Sequence, residues 1–167
     1  MTHDTTSIHG HGVAEVYGPD GRLKESVPFT NLITQVGEQL YGERGAGITT
    51  VAVPTGMHLG TSSTAPAKTG TGAAIGAYVT GSNVALDNST PTSSIPGTVR
   101  RITYHATWAA GTATASGISE VVITNQASGT NTAAAAANTI ARALLSPAVT
   151  KGASDALAIT WYHDIGT

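Results

Sequence analysis

The residues able to do chemistry are few and dispersed. Six histidines stand at positions 3, 9, 11, 58, 105 and 163. His9-Gly10-His11 places two imidazoles close together, and neutral imidazole ligates metals readily. No third ligand follows at an ordered spacing, so a polar arm is expected there and no metal site. His105 and His163 lie in β-patterned segments beside aromatics and read as sheet-face residues, not catalytic bases. The carboxylates from Glu15 to Asp164 are scattered, and no pair is set at the separation that general acid–base work requires. Ser146, His163 and Asp164 supply the residue types of a hydrolytic triad. Ser146, however, precedes Pro147 and lacks the strained, glycine-flanked turn that exposes a nucleophile. Gly70-Thr71-Gly72-Ala73-Ala74-Ile75-Gly76 has the glycines of a phosphate cradle, but a Pro/Thr/Ser loop precedes it where a strand is needed. Arg100 and Arg101 are adjacent in an extended segment and so point to opposite faces, as anchors for loops or an interface. Tyr104, Trp108 and Trp161 are the candidates for stacking on a sugar, with core or interface packing as the alternative. No catalytic, cofactor-binding or metal-ligating residue is assigned.

Composition narrows the function classes further. The 167 residues include no cysteine, 20 glycines and 7 prolines, with 11% charged and 5% aromatic residues. Without cysteine there are no disulfides and no thiolate chemistry, so the fold rests on packing. The net charge of −2 offers no electrostatic footprint for nucleic acid or an anionic membrane, so neither is expected as a partner. No apolar run approaches the roughly 18 residues of a membrane span. The first residues carry neither the basic nor the apolar region of a secretory signal, so synthesis in a cytoplasm is expected.

The elements that must position these groups are mostly strands. Val13–Tyr17 and Arg22–Val27 flank Gly18-Pro19-Asp20-Gly21, a turn in which proline presets φ and glycine accepts a positive φ. Asn31 or Thr30 is expected to cap a short helix carrying Leu32, Ile33, Val36, Leu40 and Tyr41 on one face, ended by Gly42, Gly45 and Gly47. A strand interrupted at Pro54-Thr55-Gly56 falls within 51–59, and weak strand character within 77–86. Residues 60–72 and 87–97 read as Ser/Thr/Pro-rich loops. Stronger strands are expected over 99–108, 118–124 and 157–165. Residues 139–146 fit strand or helix, and the stop at Pro147 favours a strand. The pentalanine run 133–137 reads as a hairpin loop, being too short to nucleate a helix. Ile118, Val121, Ile123, Ile140, Leu144, Leu157, Ile159 and Trp161 should dominate the core. Ile118 is out of parity with Val121 and Ile123, so a bulge or burial on both faces is expected there. The fold class is mainly β: an antiparallel β-sandwich or jelly-roll-like domain over residues 13–167 with one short N-terminal helix, preceded by a flexible arm, Met1–Gly12.

Five segments, in order, resemble the layout of a known group. They are Asn31-Leu32-Ile33-Thr34-Gln35-Val36-Gly37, Met57-His58-Leu59-Gly60-Thr61-Ser62-Ser63-Thr64-Ala65-Pro66-Ala67, Ile118-Ser119-Glu120-Val121, Ile140-Ala141-Arg142 with Leu145-Ser146-Pro147, and Asp155-Ala156-Leu157-Ala158-Ile159-Thr160-Trp161. Each is similar to a segment of structural proteins from tailed-bacteriophage virions. Val122-Ile123-Thr124 departs from the Gly-Leu-Phe usual in that group. The resemblance implies a non-enzymatic structural protein of the virion. The first expectation is a capsid decoration or cement protein, homo-oligomeric, that stabilises contacts between major capsid proteins. A tail, collar or fibre-attachment component is the second, and a carbohydrate-binding module for host recognition the third.

Overall fold

A computed structural model describes residues 7–87 and 90–166. Among them the chain forms nine strands and one α-helix: β1 (Ile8–Tyr17), β2 (Leu23–Ile33), α1 (Gln35–Gly45), β3 (Gly56–Gly60), β4 (Val84–Ala85), β5 (Thr92–Ser94), β6 (Arg100–Trp108), β7 (Ala115–Thr124), β8 (Thr139–Lys151) and β9 (Ala156–Ile165). They make one sheet in the order β4-β3-β7-β8-β2-β1-β9-β6-β5, with every pairing antiparallel. The sheet curls into a half-barrel. Near its open side, the Asp87 amide donates to His105 O at 2.8 Å and Trp108 Nε1 donates to Ser82 O at 2.7 Å. Among the described residues, no helix is long and apolar enough to cross a membrane.

The β1–β2 hairpin forms as its turn chemistry dictates, with Gly21 at φ +75° and the Gly18 amide bonded to Arg22 O. Strict alternation then buries Ala14 and Val16 of β1 and Val27 and Phe29 of β2 on the inner face. The expected arm is corrected in part. Ile8–Gly12 belong to β1, paired with Ile165–Trp161 on one side, and Gly10–Gly12 also pair with Asn31–Phe29 on the other. Backbone pairing on both edges holds a segment too poor in apolar surface to dock by side chains. Residues 1–6 of the expected arm lie outside the described residues.

The helix also starts later than its apolar spacing predicts. Leu32 and Ile33 finish β2, paired with Arg142 and Ala141 of β8. Thr34 is the N-cap, its hydroxyl accepting from the Gly37 amide at 3.1 Å. Gly42 lies inside the helix and does not end it. The cap residue is tied to β8 as well, since the Thr34 amide donates to Ile140 O at 3.0 Å. The helix therefore lies directly on the β8 backbone, and a Cβ on Gly37 would come 2.2 Å from Ile140 O. Gly37→Ala should lower the melting temperature, although alanine is the better helix former by about 1 kcal/mol. A thermal melt showing a gain would refute this packing.

Two other expectations are revised on β8. The strand does not stop at Pro147 but runs on to Lys151. Its register against β7 shifts between Leu144, opposite Glu120, and Val149, opposite Ile118. Ser146, Pro147 and Ala148 bulge outward and are exposed, so the missing proline N–H breaks no ladder bond there. Leu145, in parity with Ala141 and Ala143, takes the core place expected of Leu144, which is half-buried beside Arg142 in parity. The other seven expected core residues are all buried. On β7 the register shifts around Ile118, and Val121, Val122 and Ile123 are all buried, so the bulge and the two-sided burial both occur.

Candidate functional site

Three polar constellations stand out, and each is built by the strands just described. The first is a fully buried ion pair between β7 and β8. Glu120 and Arg142 have side-chain exposures of 0% and 1%, and Arg142 Nη2 lies 2.8 Å from Glu120 Oε2. The remaining capacity of both groups is spent on the loop after β3. Glu120 accepts from the amides of Ser62 at 3.2 Å, Gly76 at 3.0 Å and Ala77 at 2.8 Å. Arg142 donates to Gly72 O at 2.9 Å and Thr64 O at 3.0 Å. Gly60 leaves room for the carboxylate, since a Cβ there would fall 2.3 Å from Glu120 Oε1. The hydrogen bonds of the pair thus run to each other and to the loop backbone. It is a clamp that shapes the loop.

The second constellation lies behind α1. The Tyr41 hydroxyl sits 2.7 Å from the Tyr104 hydroxyl and 2.6 Å from His163 Nδ1. Trp161 Nε1 donates to Asn31 Oδ1 at 2.8 Å. Burial raises the pKa of both tyrosine hydroxyls and lowers that of His163 to about 3, so the imidazole is neutral. Beside this cluster opens a cavity of about 590 Å³, lined by Ile8, Ile33, Ile165, Tyr41 and Gly42. Lys68 and Glu38, which also line it, form an ion pair with one another.

The third is the outer face of β1, β9 and β6. Arg101 grips Asp164 through Nε and Nη2, both at 2.7 Å, with its guanidinium 4.6 Å from the centre of the Tyr162 ring. The hydrogen bond from Arg101 holds the Asp164 carboxyl below the usual carboxylate range. His11 stands 5.1 Å from Tyr162, its register partner. Farther along β6, Asp87 accepts from the Thr107 hydroxyl and contacts His105 Nδ1, each at 2.6 Å. These contacts fasten the end of the 77–87 segment to β6.

The candidates named from sequence separate cleanly. Ser146 is exposed in the β8 bulge, His163 faces inward to Tyr41, and Asp164 faces outward to Arg101. No triad forms. Gly70–Gly72 makes a single 3₁₀ turn, and Gly72 gives its carbonyl to Arg142. Arg100 and Arg101 diverge as expected, with Arg101 paired and Arg100 exposed. Trp108 and Trp161 are 0% exposed and Tyr104 2%. None of the three presents a ring to solvent, which removes the stacking platform a sugar would need. Sequence reasoning missed the Glu120–Arg142 clamp and the Tyr41–His163 contact. The only signal for the clamp was a charged residue embedded in each of two otherwise apolar runs.

His58 on β3 is buried at 0% exposure, with neither ring nitrogen hydrogen-bonded among the described residues. Burial pulls its pKa from 6.5 down to about 4. The unfolded chain binds a proton there that the folded chain refuses, so acid favours unfolding. Stability is full above about pH 6.5 and falls towards pH 4, with a contribution from this residue of up to about 1.4 kcal/mol per pH unit. His58→Phe should flatten the pH dependence of urea unfolding across that window. An unchanged slope would show that His58 is protonated in the fold.

Set against protein-family models, curated proteins and solved structures, the chain matches none of them.

Proposed function

We propose that this chain is a non-enzymatic structural protein of a tailed-phage virion. Within that class it acts as a capsid decoration or cement protein, a homo-oligomer that holds neighbouring major capsid proteins together after synthesis in the host cytoplasm. The curled sheet, whose β2 and β8 meet through only three residue pairs, is read as the two layers of a sandwich or jelly-roll.

One observation carries the proposal: the segments that resemble phage virion proteins are a connected framework. The 57–67 segment, Glu120 and Arg142 meet in the buried clamp. Asn31 of the first segment accepts from Trp161 of the last. Thr34 and Gly37 seat the helix on Ile140. Asp155 accepts from Lys24 at 2.9 Å and from the Gly152 amide at 3.0 Å. Asn31, Thr34, Glu120, Arg142 and Asp155 of these segments are thus committed to contacts within the fold. What remains for partners is a broad sheet face carrying His11, Tyr162 and the Arg101–Asp164 pair, suited to a flat protein contact.

Quantitative mass spectrometry of purified particles tests this reading. Hundreds of copies per virion are expected of a decoration protein. A few to a few dozen would move the chain to the tail, collar or fibre attachment, and absence from particles would overturn the virion assignment.

A further inference from the structure

We propose that His9, His11 and Asp164 form a site for a divalent transition metal of the zinc class on the outer face of the sheet. His9-Gly10-His11 alone lacks both an ordered backbone and a third donor, and the sheet supplies the two together. Residues two apart on a strand share a face, with Cα atoms roughly 7 Å apart. Ala14 and Val16 are buried on the inner face, so His9 and His11 point outward. Pairing with β9 fixes the backbone at both positions, and Asp164 is the register partner of His9. It reaches His11 as well, with Oδ2 4.0 Å from His11 Nδ1.

Binding requires one side chain to turn. His9 now places Nε2 2.9 Å from the Ser7 hydroxyl, and the three donors do not meet at one point. His9 is exposed, so its ring is free to rotate toward the Asp164 carboxylate across the strand pair. Little else moves. Two zinc–ligand bonds of about 2.0–2.2 Å meeting near the tetrahedral angle set their ligand atoms about 3.4 Å apart. His11 and Asp164 at 4.0 Å therefore have only about 0.6 Å to close. Three protein ligands leave a fourth position to water.

The surroundings orient these donors and select the metal. Arg101 takes one lone pair from each Asp164 oxygen. A carboxylate oxygen carries two, so Oδ2 keeps one for a metal. A ligating carboxylate is ordinarily held by such an outer hydrogen bond. His11 packs against Tyr162 with ring centres 5.1 Å apart, which restricts its ring as well. The guanidinium charge opposes a hard cation drawn to carboxylate alone, and affinity then rests on the two imidazoles. Imidazole suits zinc, copper and nickel, whereas magnesium and calcium take oxygen ligands.

The test titrates zinc chloride, and magnesium chloride in parallel, into the free full chain without an affinity tag, followed by calorimetry and heteronuclear NMR. One saturable zinc site per chain is expected, with shifts at the His9 and His11 rings and the Asp164 amide and no saturable magnesium binding. His9→Gln, His11→Gln and Asp164→Asn should each weaken zinc binding by about tenfold or more. His3→Gln and His105→Gln should leave it unchanged, His105 standing on the same face in register with Thr160. Saturating zinc should raise the melting temperature of wild type and not of the His9→Gln/His11→Gln double variant. The proposal is overturned by the absence of saturable zinc binding, by magnesium binding as tightly, or by an equal thermal shift in the double variant. Undiminished affinity in any of the three ligand variants also overturns it, as does an equal loss in His3→Gln or His105→Gln.

Discussion

Replacing Arg142 with methionine should destabilise the protein by about 3–5 kcal/mol, because it strands the Glu120 carboxylate at 0% exposure without its counter-charge. The informative comparison is the double variant Glu120→Leu/Arg142→Met. Exchanging a whole buried ion pair for apolar side chains is often neutral or stabilising. Here it should not be. The amides of Ser62, Gly76 and Ala77 would lose their acceptor, and the carbonyls of Thr64 and Gly72 their donor. These contacts are part-buried, so each backbone group left unpaired costs at most about 1–3 kcal/mol, and less where the loop opens to water. The double variant should therefore stay well below wild type in urea unfolding, and its amides at positions 62, 76 and 77 should exchange quickly. Wild-type stability in the double variant would reduce the clamp to an ordinary ion pair.

What the sequence made legible followed from local rules. The β1–β2 hairpin could be read because Pro19-Asp20-Gly21 fixes a turn between two alternating runs. β6, β7 and β9 could be read because β-branched and aromatic residues crowd them. Elements set by distant pairing could not. Ile33 fits two periods at once: it is in helical phase with Val36 and Leu40 and in strand phase with Val27 and Phe29. Its pairing with Ala141 decides for the strand, and no local signal contains that fact. Ile8–Gly12 looked like an arm because composition reports side-chain burial and is silent on hydrogen bonds to two neighbouring strands. Pro147 looked like a stop because the bulge that tolerates it depends on the β7 register. The clamp was hidden for the same reason. Glu120 and Arg142 are 22 residues apart, and only the β7–β8 pairing, with a loop from 61–77 folded over it, brings them together.

Trp161→Ala should rank with the Arg142 variant, at about 3–5 kcal/mol. The indole is fully buried, edge-on to Phe29 at 5.0 Å and to His163 at 6.1 Å. Phe29 in turn lies over Gly12, where a Cβ would come within 2.5 Å of the ring. Backbone and aromatic contacts therefore prevent this region from collapsing into the space the indole leaves, and incomplete collapse is what makes a cavity costly. The truncation also strands Asn31 Oδ1, which loses the Nε1 donor. Trp161→Phe separates the two effects, keeping most of the bulk while removing the hydrogen bond, and should cost only about 0.5–1.5 kcal/mol for the lost bond plus a small packing term. Ser146→Ala, in the exposed β8 bulge, should be within about 0.5 kcal/mol of wild type. Urea unfolding of the three variants side by side gives the ranking. If Trp161→Ala matches Trp161→Phe, the hydrogen bond to Asn31 outweighs the packing, and the aromatic cluster is not what holds β1, β2 and β9 together.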